Sequence, residues 1–397
     1  MRNTTVLLKG IPALLMTLGC TMASAQGVQV SDYYPVKSAW EELYLNGSLT
    51  ASRNREDAQQ AYDANLRLNY DSLSSTPRDD LRYRADLIGH IGRSSAAGAD
   101  SNSSYALSAG VTTDNYFEAN SNGLFWYGSA DLEASDAFNR RQLAGIIGVG
   151  YGRVRNVTAM AKAIQITEGL IERGQIKSFP SLETYQKVAG VVDREREYMA
   201  KYGAKDYEQY WIGDIEKVFL EAGLITQNFG AGEILRARDV LVRQRISTRK
   251  VGWKVRAGLG MVYRSFDQGN DTDPALELGA EYHYPLSNRT QFSDEARLLS
   301  ILDGDGSFTL RNTMTLTYEV DDRIDWENAW IYNYDKNGRT GINVTTNSLS
   351  TGFYYSLTNT LDLSAVLTLA NYSGDTNPSN PSGTDRTLFI GARYRLR

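Results

Sequence analysis

The chain is poor in cysteine, histidine, proline and long apolar runs, and each scarcity excludes something. There is one cysteine, Cys20, and it lies in the N-terminal segment. Past that segment neither a disulfide nor thiol chemistry is available. Beyond residue 25 no apolar stretch is long enough for a membrane-spanning helix, so the remaining chain either stays in solution or crosses as strands. Lys+Arg 42 against Asp+Glu 47 leaves a net charge of −5, without the basic excess that nucleic-acid binding needs. Only 8 prolines in 397 residues suit long uninterrupted β-ladders. The 25 tyrosines and 35 glycines, in turn, suit strands and tight turns.

Residues 1–25 read as a secretory signal. Arg2 and Lys9 give a positive start, residues 11–20 are apolar, and Ala23-Ser24-Ala25 offers a cleavage site before Gln26. Thr17-Leu18-Gly19 ahead of Cys20 matches a lipoprotein signal poorly. A lead follows over 26–42. Period-two alternation then fills 43–153 and 249–397. Between them, 154–248 turns to helical periodicity.

The alternation is regular. Val251, Trp253, Val255, Ala257, Leu259, Met261 and Tyr263 are apolar, with Gly252, Lys254, Arg256, Gly258 and Gly260 between them. Tyr62 to Tyr70, Leu81 to Leu87 and Leu361 to Leu369 repeat the pattern. Segments of this length, on the order of 10 residues, give about 14 strands, six before the helical part and eight after it. Apolar sides often begin or end in aromatics, as at Tyr83, Tyr263, Tyr282, Tyr284, Trp326, Tyr332 and Tyr334, the pattern of interfacial girdles. Connections alternate too. Those at 73–79, 118–123, 286–288, 320–323 and 357–359 are short, and those at 53–61, 93–103, 266–274, 336–342 and 373–385 are mostly longer. A soluble β-sandwich would alternate as well, but it accounts for neither the girdles nor the loop asymmetry.

The last segment sets Leu388, Ile390, Ala392, Tyr394 and Leu396 against Phe389, Gly391, Arg393 and Arg395. It resembles the C-terminal signal of outer-membrane β-barrel proteins, with Leu396 where that family commonly has an aromatic and Arg397 after it. The resemblance implies an all-β transmembrane barrel of the porin-like kind, to which the helical periodicity of 154–248 adds an inserted α-helical bundle. It implies placement in the cell outer membrane among lipid and lipopolysaccharide, and assembly through the barrel-assembly machinery acting on the last strand. By the same strand count the insert is the one long periplasmic connection. Its expected helices are 156–173, closed by Gly174; one from Ser181 with Tyr185, Val188, Val192, Met199 and Tyr202 on a face; one from Asp206 with Tyr207, Trp211, Ile215, Val218 and Ala222; and 230–245.

With apolar sides outward, the intervening residues face the lumen. The cations there are Arg67, Arg82, Arg84, Lys254, Arg256, Arg311, Arg393 and Arg395. The anions are Asp63, Asp86, Asp131, Glu133, Glu277, Glu281, Glu295, Glu319, Asp325, Glu327 and Asp362. Much of the basic set falls on the second, third and fourteenth strands, and many acids fall on the eighth to eleventh. Opposed walls of opposite charge either set a transverse field across a water-filled pore or pair and fill the lumen. The candidate solute-facing residues are Arg82, Arg84, Lys254, Arg256, Arg393 and Arg395, opposed by Glu277, Glu281 and Glu327. His90 and His283 also fall on lumen faces. No G-x-S-x-G elbow or H-E-x-x-H helix accompanies them, so neither an enzyme nor a metal or cofactor site is expected. The glycine-rich stretch Gly145, Gly148, Gly150 and Gly152 lacks a nucleotide-binding spacing. Asp303-Gly304-Asp305-Gly306 reads as a hairpin turn rather than a calcium loop. The expected function is a channel for small polar or charged solutes. The alternative is a scaffold whose residues 154–248 dock a periplasmic protein or peptidoglycan.

The topology yields a direct expectation. A protease-cleavable tag placed between Ser379 and Ser382 should be cut on intact cells, while one near Lys201 should be cut only after the outer membrane is permeabilised. The opposite pattern would invert the strand count.

Overall fold

The computed structural model describes residues 27–53, 58–136, 140–244, 246–266, 269–338, 341–358, 360–374 and 382–396. The signal segment lies outside them. Among the described residues fourteen antiparallel strands close into one barrel. Six precede the insert: β1 (Ser38–Ser52), β2 (Ala61–Ser75), β3 (Asp79–Arg93), β4 (Asn102–Tyr116), β5 (Leu124–Ser135) and β6 (Arg140–Asn156). Eight follow it: β7 (Lys250–Phe266), β8 (Gly269–Ser287), β9 (Thr290–Ile301), β10 (Ser307–Glu319), β11 (Ile324–Lys336), β12 (Asn343–Ser356), β13 (Leu361–Gly374) and β14 (Gly383–Arg395). No described helix is long and apolar enough to cross a membrane.

The side-chain period of a strand is two, so one face of each strand turns outward and the other inward. Leu259, Ile147, Leu367, Leu388 and Ile390 are exposed on the outer wall, as are the aromatics Tyr83, Tyr263, Tyr282 and Tyr284. An apolar exterior around a polar interior, with no open sheet edge in lipid, is the architecture of an outer-membrane barrel.

Closure is uneven. β1 pairs with β2 along its whole length, from Ser38 opposite Ser75 to Ser52 opposite Ala61. Its pairing with β14 runs only through Tyr44 to Gly47, opposite Arg395 to Ala392. One further bond, Leu396 N–H to the Leu43 carbonyl, extends that seam.

Two sequence expectations change here. Most of the expected loop at 266–274 is ladder instead, at its described residues 266 and 269–274: β7 and β8 pair out to Phe266 opposite Gly269, with Pro274 opposite Met261. Arg264, buried on the inner face, holds Asp273 at 2.6 Å and Asp303 at 3.3 Å, which ties this extension together. The expected lead over 26–42 is shorter, since β1 begins at Ser38. What precedes it folds against the insert, burying Val30 and Tyr33 in the helical core.

The insert comprises α1 (Thr158–Glu172), α2 (Leu182–Val192), α3 (Glu195–Glu221) and α4 (Ala231–Arg238), ending in a π-turn over Asp239–Arg243. Ser181 caps α2 by accepting from the Thr184 N–H. Met199 and Tyr202 lie on α3 rather than α2, because the chain breaks helix after Val192. Asp206 lies within α3, beyond a kink where Gly203 takes φ 76°. Trp211, Ile215, Phe219, Met160, Ile164 and Leu170 form the centre of the bundle, and Trp211 Nε1 donates to the Val191 carbonyl at 2.8 Å.

The glycines of β6 and β7 have a packing role. A β-carbon on Gly148 would collide with the Tyr127 ring and the Ala257 carbonyl, and one on Gly150 with the Phe125 ring and the Val255 carbonyl. Both rings are fully buried inside the wall beside Ile146 and Val262. Gly150→Val should therefore lower stability by about 1–3 kcal/mol through overpacking. Loss of the heat-resistant folded band at a lower temperature in semi-native electrophoresis would show it. Gly145→Ala has nothing within 4 Å of its new methyl and should leave that band unchanged.

Candidate functional site

The inward charges of β3, β4 and β5 meet those of β7 to β10 directly. Arg84 reaches Glu295 at 2.6 Å, from β3 to β9. Lys254 reaches Asp114 at 2.7 Å, from β7 to β4. Arg297 reaches Asp131 at 2.6 Å, from β9 to β5, and Arg311 reaches Glu133 at 2.5 Å, from β10 to β5. None of these strand pairs are neighbours in the sheet, so each contact crosses the lumen. The opposed walls do not face each other across a wide field; they are drawn together into ion pairs. Polar cavities of about 210 and 190 Å³ lie between them, both lined by Arg84, Lys254, Arg256, Glu281, Arg297 and Arg311.

Glu277 is completely buried in this half of the lumen. Arg256 approaches it at 3.2 Å and Arg297 at 2.5 Å, and Tyr127 donates its hydroxyl at 3.2 Å. Burial without such partners would cost an anion heavily, and three donors on three strands supply them. Arg82 holds Asp71 through two parallel bonds, 3.1 and 2.8 Å, and lies 3.8 and 3.5 Å from Glu281 and Glu295. On the opposite side of the barrel Arg393 forms a second hub. It pairs with Asp362 at 3.2 Å and Glu327 at 3.4 Å, and its guanidinium stacks 3.7 Å from the Tyr354 ring centre. Arg395 stands apart from both hubs, lining a cavity at the insert end.

Sequence reading overlooked Arg297 and Asp114. Arg297 has the same parity as Glu295 two residues earlier, so the signal was present. Asp114 lies near the end of β4 between Thr112-Thr113 and Asn115, where alternation is weak.

The helical insert rests on one rim of this lumen. Arg249, fully buried, pairs with Glu319 at 2.7 Å. Glu319 also accepts from the Ser247 N–H at 2.9 Å and from Gln165 of α1 at 3.3 Å. Arg236 of α4 meets Asp322 in the turn after β10, and Arg196 of α3 meets Glu41 on β1. Lys250 of β7 lies over the ring of Trp40 on β1, a strand on the far side of the barrel, at 5.1 Å. The insert's own contacts, to Glu319 and Asp322 at the end of β10 and to Glu41 on β1, fall on separated parts of the rim, so the insert spans the mouth. Cavities of about 650 and 550 Å³ remain between insert and rim.

The histidines differ. His90 is partly exposed and lies 3.1 Å from Asn65. His283 is buried beside Glu281 and Glu295, with neither ring nitrogen hydrogen-bonded. The Asp303 turn is self-contained: its Oδ1 accepts from the N–H groups of Asp305, Gly306 and Ser307, while Gly304 and Gly306 take φ 82° and 78°. Such bonds, together with Arg264, hold the Asp303 carboxyl down at about 2 against the effect of burial.

A family model described as a protein of unknown function, DUF481, matches residues 242–357, the end of the insert and β7 to β12. No curated protein matches the chain. Among solved structures the chain is similar to an anion-selective porin from Comamonas acidovorans, at 9% identity and TM-score 0.34 over 91% of this chain and 100% of that one. It is similar to the outer membrane channel DcaP of Acinetobacter baumannii, at 8% identity and TM-score 0.36 over 91% and 97%. It is also similar to a loop-deletion mutant of OmpT, an outer membrane protein of Vibrio cholerae, at 10% identity and TM-score 0.33 over 91% and 100%. Likeness at this level carries no residue roles.

Where the lead meets the insert, the Tyr33 hydroxyl donates to Asp193 at 2.6 Å. Burial raises the Asp193 carboxyl to about 7, against the opposing pull of that bond and of Lys162. Folded, the group keeps its proton to near neutrality; unfolded, it loses it near pH 4. Its contribution is thus full below about pH 4 and is lost as pH rises to about 7. Proteolysis within the insert should accelerate across that interval, and Asp193→Asn should flatten the dependence. An unchanged slope in the variant would exclude Asp193 as its source.

Proposed function

We propose that the protein is an outer-membrane channel for small polar or charged solutes, and that this conformation is its closed state. The observation that carries the reading is the lumen itself. Inside an apolar wall, inward positions from β3 to β14 bear ionised side chains in two hubs around polar cavities, a lining that suits polar solutes once the cross-lumen pairs part. Arg82, Arg84, Lys254, Arg256 and Arg393 are the cations a solute would meet, with Glu277, Glu281 and Glu327 as their counter-charges and Arg395 at the mouth. The role is transport, without catalysis.

In this reading the insert lies in the periplasm and caps the pore. Its apolar residues sit mainly in its own core, with its polar side chains reaching the rim, which favours a cap over a free module for another envelope component. The outer belt meets lipid and lipopolysaccharide, and β14 is the strand offered to the assembly machinery.

Ion pairs across a lumen can open without unfolding the wall, because the ladder bonds run around it. Planar bilayers test this. Wild type should conduct weakly and intermittently. Arg84→Ala combined with Arg311→Ala should raise the open fraction several-fold. A short Gly/Ser linker joining Asn156 to Lys250, which already pair across β6 and β7, should raise it further. Folded wild type and folded variants that never conduct would sink the channel reading.

A further inference from the structure

Glu281, His283 and Glu295 converge on one point inside the wall. Glu281 and Glu295 are directly opposite on β8 and β9, and His283 is two residues along β8, on the same inward face. One donor atom from each lies within 4.8 Å of the others. His283 Nε2 is 3.7 Å from Glu281 Oε2 and 3.8 Å from Glu295 Oε1. Those separations are too long for hydrogen bonds. Yet the imidazole is only 1% exposed, and neither of its nitrogens has a hydrogen-bond partner. A buried ring whose nearest polar neighbours lie this far off is under-satisfied, and its Nε2 points at two carboxylates set opposite each other on neighbouring strands.

An ion between the three atoms would give Nε2 a partner and draw the two carboxylates to a shared charge. Nitrogen and oxygen ligands at about 2.0–2.2 Å from a shared zinc stand roughly 3.3–3.7 Å apart at tetrahedral to trigonal angles. The two separations from His283 Nε2 lie at or just beyond the upper end of that range, and the two carboxylate oxygens lie within 4.8 Å of each other. The carboxylates are also oriented from behind. Arg84 takes the other oxygen of Glu295 at 2.6 Å, and Lys254 faces the other oxygen of Glu281 at 3.4 Å. Arg82 is anchored by the two hydrogen bonds it donates to Asp71 and brings only Nη1 toward the inner oxygens, at 3.5 and 3.8 Å. Outer partners that fix ligand oxygens in this way are what a metal site requires.

We propose that Glu281, His283 and Glu295 bind one divalent transition-metal cation, with zinc favoured by the set of one imidazole and two carboxylates. Three protein ligands leave a fourth position for water. The bound ion ties β8 to β9 beneath the Arg84–Glu295 bridge. The site does not depend on the channel reading, since it needs only the folded barrel.

The test uses full-length folded protein in detergent, without a histidine tag, dialysed against zinc and assayed for metal per chain. The chain has only two histidines, so the variants are clean. One zinc per chain is expected. In His283→Gln and in Glu295→Gln the affinity should fall by more than the roughly 10–100-fold typical of losing an outer partner. His90→Gln should bind as wild type does. Cobalt substitution should give the absorption of a four-coordinate site, absent in His283→Gln. Glu281→Gln carries the same comparison if either variant fails to show the heat-resistant folded band. No stoichiometric zinc, equal binding by folded His283→Gln, or loss on His90→Gln would each overturn the proposal.

Discussion

Arg84 of β3 and Glu295 of β9 stand for the interaction on which the rest of this structure depends: an ion pair reaching from one wall of the barrel to the other. A strand of period two sends every second residue inward, and this chain places carboxylates and guanidinium groups at many of those positions. Enclosed charges must find partners, because desolvation leaves an isolated ion too costly. Neighbours in the ladder supply some, as Asp362 does for Arg393. The partners on β4 and β5 instead reach strands across the lumen, and the opposed walls draw together.

The same requirement shapes the mouth. Glu319, near the rim, has its oxygens taken up by Arg249, Ser247 and Gln165, all on or beside the insert. The insert is consequently fastened to the barrel by buried polar contacts as well as by the covalent chain. The lead joins it from the other side, burying Val30 and Tyr33 among its helices.

Much of this was legible in the sequence, for identifiable reasons. Alternation such as that from Val251 to Tyr263 fixes which face each residue takes, so the strands, the placing of the insert after the sixth of them, and the outward aromatics could be read without knowing the fold. What alternation does not carry is which strand lies across the lumen. Arg84 and Glu295 are 211 positions apart and share no ladder, so their meeting depends on how far the closed sheet flattens. The stretch 266–274 read as a loop, but Arg264 and Asp273 hold the hairpin together through its described part. The helical stripe that joined Val192 to Met199 ran through the break at Asp193 because the helix resumes after only a short interruption. The orphaned ring of His283 was invisible because a sequence shows that a histidine is inward, not that its nitrogens lack partners.

The short seam between β1 and β14 has a mechanical consequence. Each neighbouring pair elsewhere is sewn along most of the strand length, whereas this one is held by the ladder from Tyr44 to Gly47 and the bond from Leu396. Under lateral tension a closed cylinder parts where the fewest bonds must break together. The first and last strands would therefore peel away from each other at the end remote from the insert, turning the tube into a curled sheet while every other ladder stays intact. The Arg393 guanidinium, 5.0 Å from the Tyr44 ring centre, lies beside the stitched portion.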